Sequence, residues 1–302
     1  MSLSKHSLKQ MKRQQRRIQA DLDRKRRSGA RAQSDIVAEI LREVPKDPVE
    51  FCKKILGFEP TDYQAKILHD ESQFIAARLC RQSGKTFIIT ARILHKMLRN
   101  RGSWWAAFGP SFRQSKQVIR KFTTHLLKVP KRWYHKPLKT KIELANGSRI
   151  EAFPNNPDTI RGPTLNGIYC DEFNFVANDE DLYDAILFTL GTTNGEFIGS
   201  STPWSRDHTF YKMCKDKDFD DFSRHHVTWK EAVEPNGPLK KNILEKIKRQ
   251  LATDPWRWQR EMEAEWSEDE SSWLPQTLIG QCQDSMLEIR VIDKRHSFWT
   301  VS

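Results

Sequence analysis

The 302-residue sequence lacks a long apolar segment. No apolar run approaches the roughly 18 residues that a membrane-spanning helix requires, and the mean hydropathy is −0.71. The basic N-terminus has no apolar segment behind it, so we expect neither a signal peptide nor a membrane partner. A hydrophobic content of 37% still allows one large core or two modest ones.

Cysteine is scarce and widely spaced. Because the number of cysteines is odd and no Cys-x-x-Cys pair occurs, a zinc site and a disulfide framework are both disfavoured, and a reducing compartment is expected. We also find no internal repeat. The cysteines are Cys52, Cys80, Cys170, Cys214 and Cys282.

Acidic residues are scarce at the N-terminus. Residues 1–32 hold eleven Lys/Arg against Asp21 and Asp23, so +9 of the formal net charge of +12 lies there and the other 270 residues carry only +3. Such an arm attracts phosphodiester backbones by counterion release, although a solvated tail or a segment that docks an acidic partner can share this composition. The expected DNA contacts in the arm are Lys12, Arg13, Arg16, Arg17, Arg24, Lys25, Arg26 and Arg27.

Capping signals predict two helices ahead of the first strand. Asp47 and Pro48 begin a helix that Gly57 ends, and Thr61 begins another that runs to about Asp70. Strand and helix patterns then alternate, which predicts an α/β fold with a mostly parallel, doubly wound sheet flanked by helices.

The predicted elements form one domain over residues 35–266, with a basic arm at 1–34, a helical lid at about 230–266 and a tail at 267–302. Asn146-Gly147 predicts a type I′ turn in a hairpin within 139–153. Predicted strands cover 73–79, 103–109, 166–171, 195–201 and 223–228. Predicted helices cover 8–27, 35–44, 85–99, 112–127, 179–190, 206–214, 239–251 and 254–265.

A phosphate-binding signal follows the first predicted strand. The apolar run 74–79 leads into Gly84-Lys85-Thr86, and a helical pattern starts at once. Backbone N–H groups and the helix dipole at such a turn bind an anion, the lysine adds a charge, and the threonine hydroxyl can hold Mg²⁺. The full motif requires glycine at position 79, where this chain has Leu79. Gly-Lys-Thr alone is therefore weak support.

Two adjacent carboxylates, Asp171 and Glu172, stand where the predicted strand 166–171 ends. Neighbouring side chains at a strand end diverge, so the two acids can have different roles. We expect Asp171 in the Mg²⁺ shell and Glu172 orienting the water that attacks the γ-phosphate. A solvated acidic turn is the alternative.

Two weaker signals accompany these motifs. Gln64, after Tyr63, can read the adenine edge through its amide, and it also fits a capping box. Ser201-Thr202 follows a third apolar strand, where a hydroxyl can sense the γ-phosphate. An ordinary turn at Pro203 is the alternative.

In this order the motifs resemble those of the ATPase domain of viral large terminases, the motors that package DNA into procapsids. The resemblance covers most of residues 47–266 and implies a RecA-type P-loop NTPase fold that uses ATP and Mg²⁺. The Walker A motif of this family often lacks the first glycine and places Arg-Gln before x-Gly-Lys-[Ser/Thr]. The matching segments are Tyr63-Gln64, Arg81 to Thr86, Gly109-Pro110-Ser111 with Gln114, Ile160-Arg161-Gly162 ahead of Ile168 to Phe173, Ser201-Thr202-Pro203 with Phe210-Tyr211, and Gln259 to Trp266.

The resemblance implies a role for each matched position. Lys85, Glu172 and Arg81 would be catalytic, with Arg81 stabilising the developing charge. Ser201 and Thr202 would couple hydrolysis to movement. Arg149 and Arg161 are the candidates for an arginine donated to a neighbouring subunit. Thr86 and Asp171 would hold the metal. The implied nucleotide contacts are Tyr63, Gln64, Arg81, Gln82, Ser83, Gly84, Lys85 and Thr86.

The resemblance also implies partners and a location. These are double-stranded DNA, the portal or procapsid and the small terminase subunit, in the host cytoplasm and transiently at the procapsid. The active form would be a homo-oligomeric ring, with a monomer possible in isolation. Large terminases add an RNase H-like nuclease, and the 36 residues after Trp266 are too few for one. We therefore expect no DNA cleavage by this chain.

Two other functions fit the same motifs. A helicase-type nucleic-acid-dependent ATPase shares the adenine glutamine, the phosphate loop and the Asp-Glu pair, but normally needs two motor lobes. A DNA-binding assembly protein with a vestigial nucleotide site is the second alternative.

Overall fold

The computed structural model of the chain describes residues 33–266. The predicted helix 8–27, the arm's DNA-contact residues, Cys282 and the tail lie outside the described residues. Within them a seven-stranded sheet is flanked by helices, and no helix there is long and apolar enough to cross a membrane. The strands are β1 (Phe74–Leu79), β2 (Trp104–Phe108), β3 (Lys141–Glu143), β4 (Arg149–Ala152), β5 (Gly167–Asp171), β6 (Glu196–Ser201) and β7 (Phe222–Val227).

The helices follow the predicted order closely. Helix α1 covers 33–43, and α4 and α6 have the predicted bounds. The remaining helices are α2 (Pro48–Phe51, continued by a π-helical turn at Cys52–Leu56), α3 (Asp62–His69), α4 (Lys85–Arg99), α5 (Phe112–Leu126), α6 (Asp179–Leu190), α7 (Thr209–Lys215), α8 (Trp229–Ala232), α9 (Lys241–Gln250) and α10 (Pro255–Glu261).

The strand order is β3-β4-β2-β5-β6-β1-β7, and every neighbouring pair is parallel except β3 and β4. The predicted α/β fold with a mostly parallel sheet is confirmed. Parallel strands place their carboxyl ends at one edge of the sheet, where ligands bind in such folds. The turns after β1, β5 and β6 therefore meet, with β6 between the other two strands.

Alternating residues of β1, the strand beside the edge strand β7, support two separate apolar layers. Ile75 and Ala77 pack with α4 and α5, whereas Ala76 faces the layer that contains α6 and α7. Eleven of the fifteen residues of α4 are buried. A helix buried on most sides cannot shift without opening the core, so α4 holds the turn at its N-terminus in a fixed place.

The hairpin of β3 and β4 forms as predicted, but its turn is not of type I′. That turn needs positive φ at both central residues, and of the pair only Gly147 has one, at 86°. Asn146 is buried, and its amide donates to the carbonyl oxygens of Met97 (2.8 Å) and Leu98 (3.2 Å). The Gly147 N–H donates to the Leu144 carbonyl oxygen at 3.0 Å, so the four-residue turn is Leu144 to Gly147 with a left-handed glycine at its end. The Asn146 side chain is meanwhile bound to the end of α4.

Two predictions near the C-terminal end of the domain were wrong in detail. Helix α10 ends at Glu261 rather than at 265, and the short helix α8 was missed. Ala264 has a positive φ of 50°, which breaks the helical path. The short α8 rests on a capping box between Thr228 and Glu231, a local signal too brief for hydrophobic periodicity to reveal.

Asp70 fastens the end of α3 to the edge strand β7. His225 lies 2.6 Å from its carboxylate, and the Ser72 backbone N–H donates to it at 2.9 Å. Burial raises the pKa of Asp70, but hydrogen bonds from His225, Ser223 and Ser72 outweigh burial and leave that pKa well below its usual range. The carboxylate is therefore ionised in the folded protein and contributes to its stability.

Candidate active site

The turn between β1 and α4 has the geometry of a phosphate-binding loop. Gln82 and Gly84 have positive φ values of 62° and 81°. The Ser83 hydroxyl closes the turn by donating to the Cys80 carbonyl oxygen at 2.7 Å. Helix α4 begins at Lys85, so its free N–H groups and positive dipole end face the space beside the turn.

Helix α3 supports this turn from behind. The Tyr63 hydroxyl donates to the Ser83 carbonyl oxygen at 2.7 Å. The Gln64 side chain is buried, accepts from the Thr61 N–H at 3.1 Å, and lies 3.5 Å from the Tyr63 hydroxyl. Both predicted adenine contacts thus brace the loop and do not line its cavity. The reading of adenine by Gln64 stays a prediction.

The loop and the acid pair meet directly across β6. Lys85 Nζ lies 2.5 Å from Glu172 Oε1, and Thr86 Oγ1 donates to Asp171 Oδ2 at 2.9 Å. The Lys85 side chain is 11% exposed and that of Glu172 31%. Residues 85 positions apart in sequence therefore form one cluster, as the two motifs predict.

Asp171 is held as a hydrogen-bond acceptor. Its Oδ1 accepts from the Tyr169 hydroxyl at 2.9 Å and from Ser200 Oγ at 3.1 Å. Burial raises the pKa of Tyr169 well above its usual range, and the Asp171 carboxylate raises it further, so the phenol remains a donor. One carboxylate oxygen is thus fixed by hydroxyls while the other faces Thr86.

Glu172 occupies a strained backbone position. Its φ of 53° lies in the left-handed region, which costs a non-glycine residue about 1 kcal/mol or more. The turn points its carboxylate back toward Lys85, and Ser201 Oγ lies 3.4 Å from Glu172 Oε2. The predicted coupling residue Ser201 therefore reaches the predicted catalytic acid.

A cavity of about 640 Å³ opens between these groups, a size within the range of small-molecule sites. Of the predicted residues, Thr202 lines it beside the loop and the acid. Six lining residues were not predicted as site residues: Phe87, Gln114, Lys121, Phe175, Trp204 and Glu261. The full lining is Arg81, Gln82, Gly84, Lys85, Thr86, Phe87, Gln114, Lys121, Glu172, Phe175, Thr202, Trp204 and Glu261.

Arg81 stands at the mouth of the cavity with its side chain 60% exposed. Its backbone N–H donates to the Glu261 carbonyl oxygen at 2.8 Å, and its guanidinium lies 3.3 Å from the Glu261 carboxylate. The predicted charge stabiliser is thus held by α10, within the segment predicted to form the lid.

Asn174 links the acid-pair turn to two other segments, and no sequence motif marked it. It is buried, and its Oδ1 accepts from the Trp204 backbone N–H (2.7 Å) and from Trp266 Nε1 (3.0 Å). Its amide donates to the Ser205 carbonyl oxygen at 3.1 Å. A single amide side chain therefore joins the turn after β5, the loop after β6 and the end of the domain.

The two candidate arginines for a neighbouring site differ in exposure. The Arg149 guanidinium, on β4, lies 3.7 Å from the centre of the Trp104 ring on the neighbouring strand β2. Arg161 is 67% exposed in the loop before β5 and pairs only with Asp158, at 3.1 Å, among the residues from 33 to 266. Arg161 is thus the better placed of the two to reach another molecule.

A phosphate loop after one strand, an Asp-Glu pair two strands away and an intervening strand define a P-loop NTPase of the RecA type. The family model for "Terminase large subunit, T4likevirus-type, N-terminal" matches residues 78–281. The match spans more than half of the chain and contains the loop, the acid pair and the segment after β6. The chain belongs to this family and carries its ATPase domain.

Solved large terminases share the fold at low sequence identity. The ATPase domain from Thermus phage P74-26 aligns with a TM-score of 0.53 and 20% identity over 72% of this chain and 98% of that one. A large terminase from a thermophilic bacteriophage, solved in complex with ADP, aligns with a TM-score of 0.58 and 18% identity, over 69% of this chain and 54% of that one.

The bacteriophage HK97 large terminase gives a TM-score of 0.60 and 16% identity over 73% of this chain and 55% of that one. The aligned region thus spans only about half the length of the ADP-bound terminase and of the HK97 terminase. At these identities the comparisons establish the fold.

Proposed function

We propose that this chain hydrolyses Mg²⁺-bound ATP in the cavity between Gly84 and Glu172 and uses the energy to move double-stranded DNA into a viral procapsid. The observation that carries the proposal is the joint placement of Lys85 beside Glu172 and of Thr86 beside Asp171. Family membership supports ATP as the substrate, and one of the structurally similar large terminases was solved with ADP bound.

The residues around Thr86 fit a magnesium ion. Mg²⁺ prefers oxygen ligands and is usually held by one or two carboxylates, phosphate oxygens and water. Thr86 Oγ1 and Asp171 Oδ2, 2.9 Å apart, are oxygen donors at the phosphate loop. They would hold the ion, which would neutralise charge on the β- and γ-phosphate oxygens.

Lys85 and Glu172 exchange partners when the nucleotide binds. In the structure each neutralises the other. A triphosphate at the N-terminus of α4 offers Lys85 a stronger anion, and Lys85 leaves the carboxylate. Glu172 is then free to accept a proton from the attacking water, the role of a general base. The salt bridge thus keeps the base occupied until substrate is present.

The loop after β6 would report the state of the phosphate. Ser201 contacts Glu172 and Thr202 lines the cavity, while the next residues are tied through Asn174 to Trp266. Loss of the γ-phosphate removes a contact at one end of this chain of hydrogen bonds. The C-terminal part of the domain, which also holds Arg81 through Glu261, moves in response.

Movement of DNA needs several such subunits, and we propose a homo-oligomeric ring that acts at the portal of the procapsid with the small terminase subunit. Its place of action would be the host cytoplasm. Arg161, exposed in the loop before β5, is the arginine that would reach a neighbour's nucleotide.

Steady-state ATPase measurements of the wild type and of Glu172→Gln test the catalytic assignment. A general base contributes typically 10²- to 10⁴-fold to the rate, so the variant should lose at least about 100-fold in kcat. Lys85→Ala should lose nucleotide binding itself. Equal rates in wild type and Glu172→Gln would remove the catalytic role of Glu172. No measurable ATPase activity in either protein would favour a DNA-binding assembly protein with a vestigial nucleotide site.

A further inference from the structure

The described domain has a strong separation of charge that its small net charge conceals. Residues 72–142 contain seventeen Lys/Arg and not one Asp or Glu. Residues 33–266 hold 37 Lys/Arg and 31 Asp/Glu, a net charge of +6, so the rest of the described domain carries −11. Because this segment contains no acid, each of its cations can form an ion pair only with an acid from another part of the chain.

Seven of these seventeen cations form ion pairs with acids from other parts of the domain. The paired residues are Arg78, Arg81, Lys85, Arg92, Lys96, Arg132 and Lys141. They lie mainly on β1, on α4 and near the edge hairpin. The cations of α5 are different, because within residues 33–266 none of them has an ion-pair partner.

Helix α5 presents these cations on one solvent-facing side. Its buried side consists of Val118, Ile119, Phe122 and neighbours that pack against the core. At 100° per residue, Arg113, Lys116, Arg120 and Lys121 fall within one arc of about 140°. Three of them are exposed and Lys116 is half-buried over Phe112.

We propose that this face of α5, defined by Arg113, Lys116, Arg120 and Lys121, binds the phosphodiester backbone of double-stranded DNA. The proposal rests on the proposed function, for which it names the surface that holds the transported molecule. The face extends about 12 Å along the helix, which is long enough for several of its cationic side chains to reach backbone phosphates of one duplex. The charge is free to replace counterions, since no acid in the described residues neutralises it.

The same helix reaches the nucleotide cavity. Gln114 and Lys121 line the cavity beside Lys85 and Thr86. The exposed cations are therefore one helical turn or less from side chains that face the triphosphate site. Because α5 packs on α4, whose N-terminus follows the phosphate loop, the DNA-binding face and the nucleotide cavity lie on one layer of the domain.

A basic face on another helix provides a matched control. Helix α9 exposes Lys241, Lys246 and Arg249, but it also carries Glu245. Its cations lie in a part of the chain rich in acids, and α9 does not line the cavity of about 640 Å³. An effect that required only surface charge would be the same on both helices.

The experiment measures binding of the full chain to a fluorescein-labelled 30-base-pair duplex of arbitrary sequence, by anisotropy, from 50 to 200 mM NaCl without nucleotide. Arg113→Gln/Lys116→Gln/Arg120→Gln should weaken binding at least about tenfold at 50 mM salt. It should also reduce the slope of log Kd against log salt by about 2 to 3, at about 0.9 for each lost phosphate contact. Lys241→Gln/Lys246→Gln/Arg249→Gln should change the slope by less than 1. Thermal unfolding of each variant checks that it is folded.

A photo-crosslinker locates the contact independently. Cys52, Cys80, Cys170 and Cys214 are buried, so a Cys282→Ser background leaves one reactive thiol when Gln117→Cys is added on the α5 face. This site should crosslink to the duplex, and Asn242→Cys on α9 should not.

Equal affinity losses for the two triple variants, or crosslinking from α9 and not from α5, would overturn the proposal. So would loss of binding only when the cations of residues 1–32 are neutralised, because the arm would then be the DNA site. Since no nucleotide is present, these results are independent of whether Glu172 catalyses hydrolysis. A failure of the proposed ATPase activity would thus be seen separately.

Discussion

The salt bridge between Lys85 and Glu172 leads us to predict that one substitution will change ATP affinity and the rate of hydrolysis in opposite directions. Nucleotide binding requires Lys85 to leave a carboxylate 2.5 Å away. A hydrogen bond between charged groups contributes about 1.5–3 kcal/mol. Because Glu172 is about one-third exposed, we take the lower end of this range. Glu172→Gln removes most of that cost and should bind ATP about tenfold more tightly, while its kcat falls at least about 100-fold.

Titration of a fluorescent ATP analogue in the presence of Mg²⁺ measures the affinity, and phosphate release measures the rate. Ser201→Ala is the matched control, since it removes only the 3.4 Å contact to the other oxygen of Glu172. Its nucleotide affinity should stay within about twofold of the wild type. Unchanged or weaker ATP binding by Glu172→Gln would show that Lys85 does not exchange partners on binding.

Three further predictions concern stability and assembly. Asp70→Asn should lower the free energy of unfolding by about 1–3 kcal/mol at pH 7. Since the pKa of Asp70 is lowered by folding, this deficit should shrink as the pH falls below about 4, as urea unfolding at pH 7 and pH 3 would show. Asn174→Ala leaves the Trp204 N–H without its acceptor and should cost about 2–3 kcal/mol, with ATPase activity less responsive to DNA. Arg161→Ala should lower the ATPase activity of the assembled protein and not that of the monomer, and analytical ultracentrifugation paired with ATPase assays distinguishes the two assembly states. Arg149→Ala should instead lower the midpoint of thermal unfolding.

Much of the fold could be predicted because its signals are local. Helix α4 begins at Lys85 and ends at Arg99 as predicted, since an apolar pattern runs between a glycine turn and a polar end. The helix starts at Asp47 and Thr61 likewise depend on side chains within three residues. The turn at Asn146 was misassigned because its conformation depends on carbonyl groups almost fifty residues earlier in the chain.

The site shows the same division between local and distant information. The partners Thr86 and Asp171 could be predicted, because each motif follows a strand and parallel strands end at one edge. Asn174 could not, since its three hydrogen bonds reach residues about 30 and 92 positions away. The charge separation at 72–142 was visible in the sequence. The charges of residues 33–302 nearly cancel when they are summed, so the separation appears only at the level of segments.

A structure of the chain with Mg²⁺ and a non-hydrolysable ATP analogue would show whether the cavity between Gly84 and Glu172 is the site of hydrolysis. We expect a triphosphate at the N-terminus of α4, with Lys85 on a phosphate oxygen, the metal between Thr86 and Asp171, and Glu172 released toward a water molecule. A nucleotide bound elsewhere, or Lys85 still paired with Glu172 beside a bound triphosphate, would contradict this expectation.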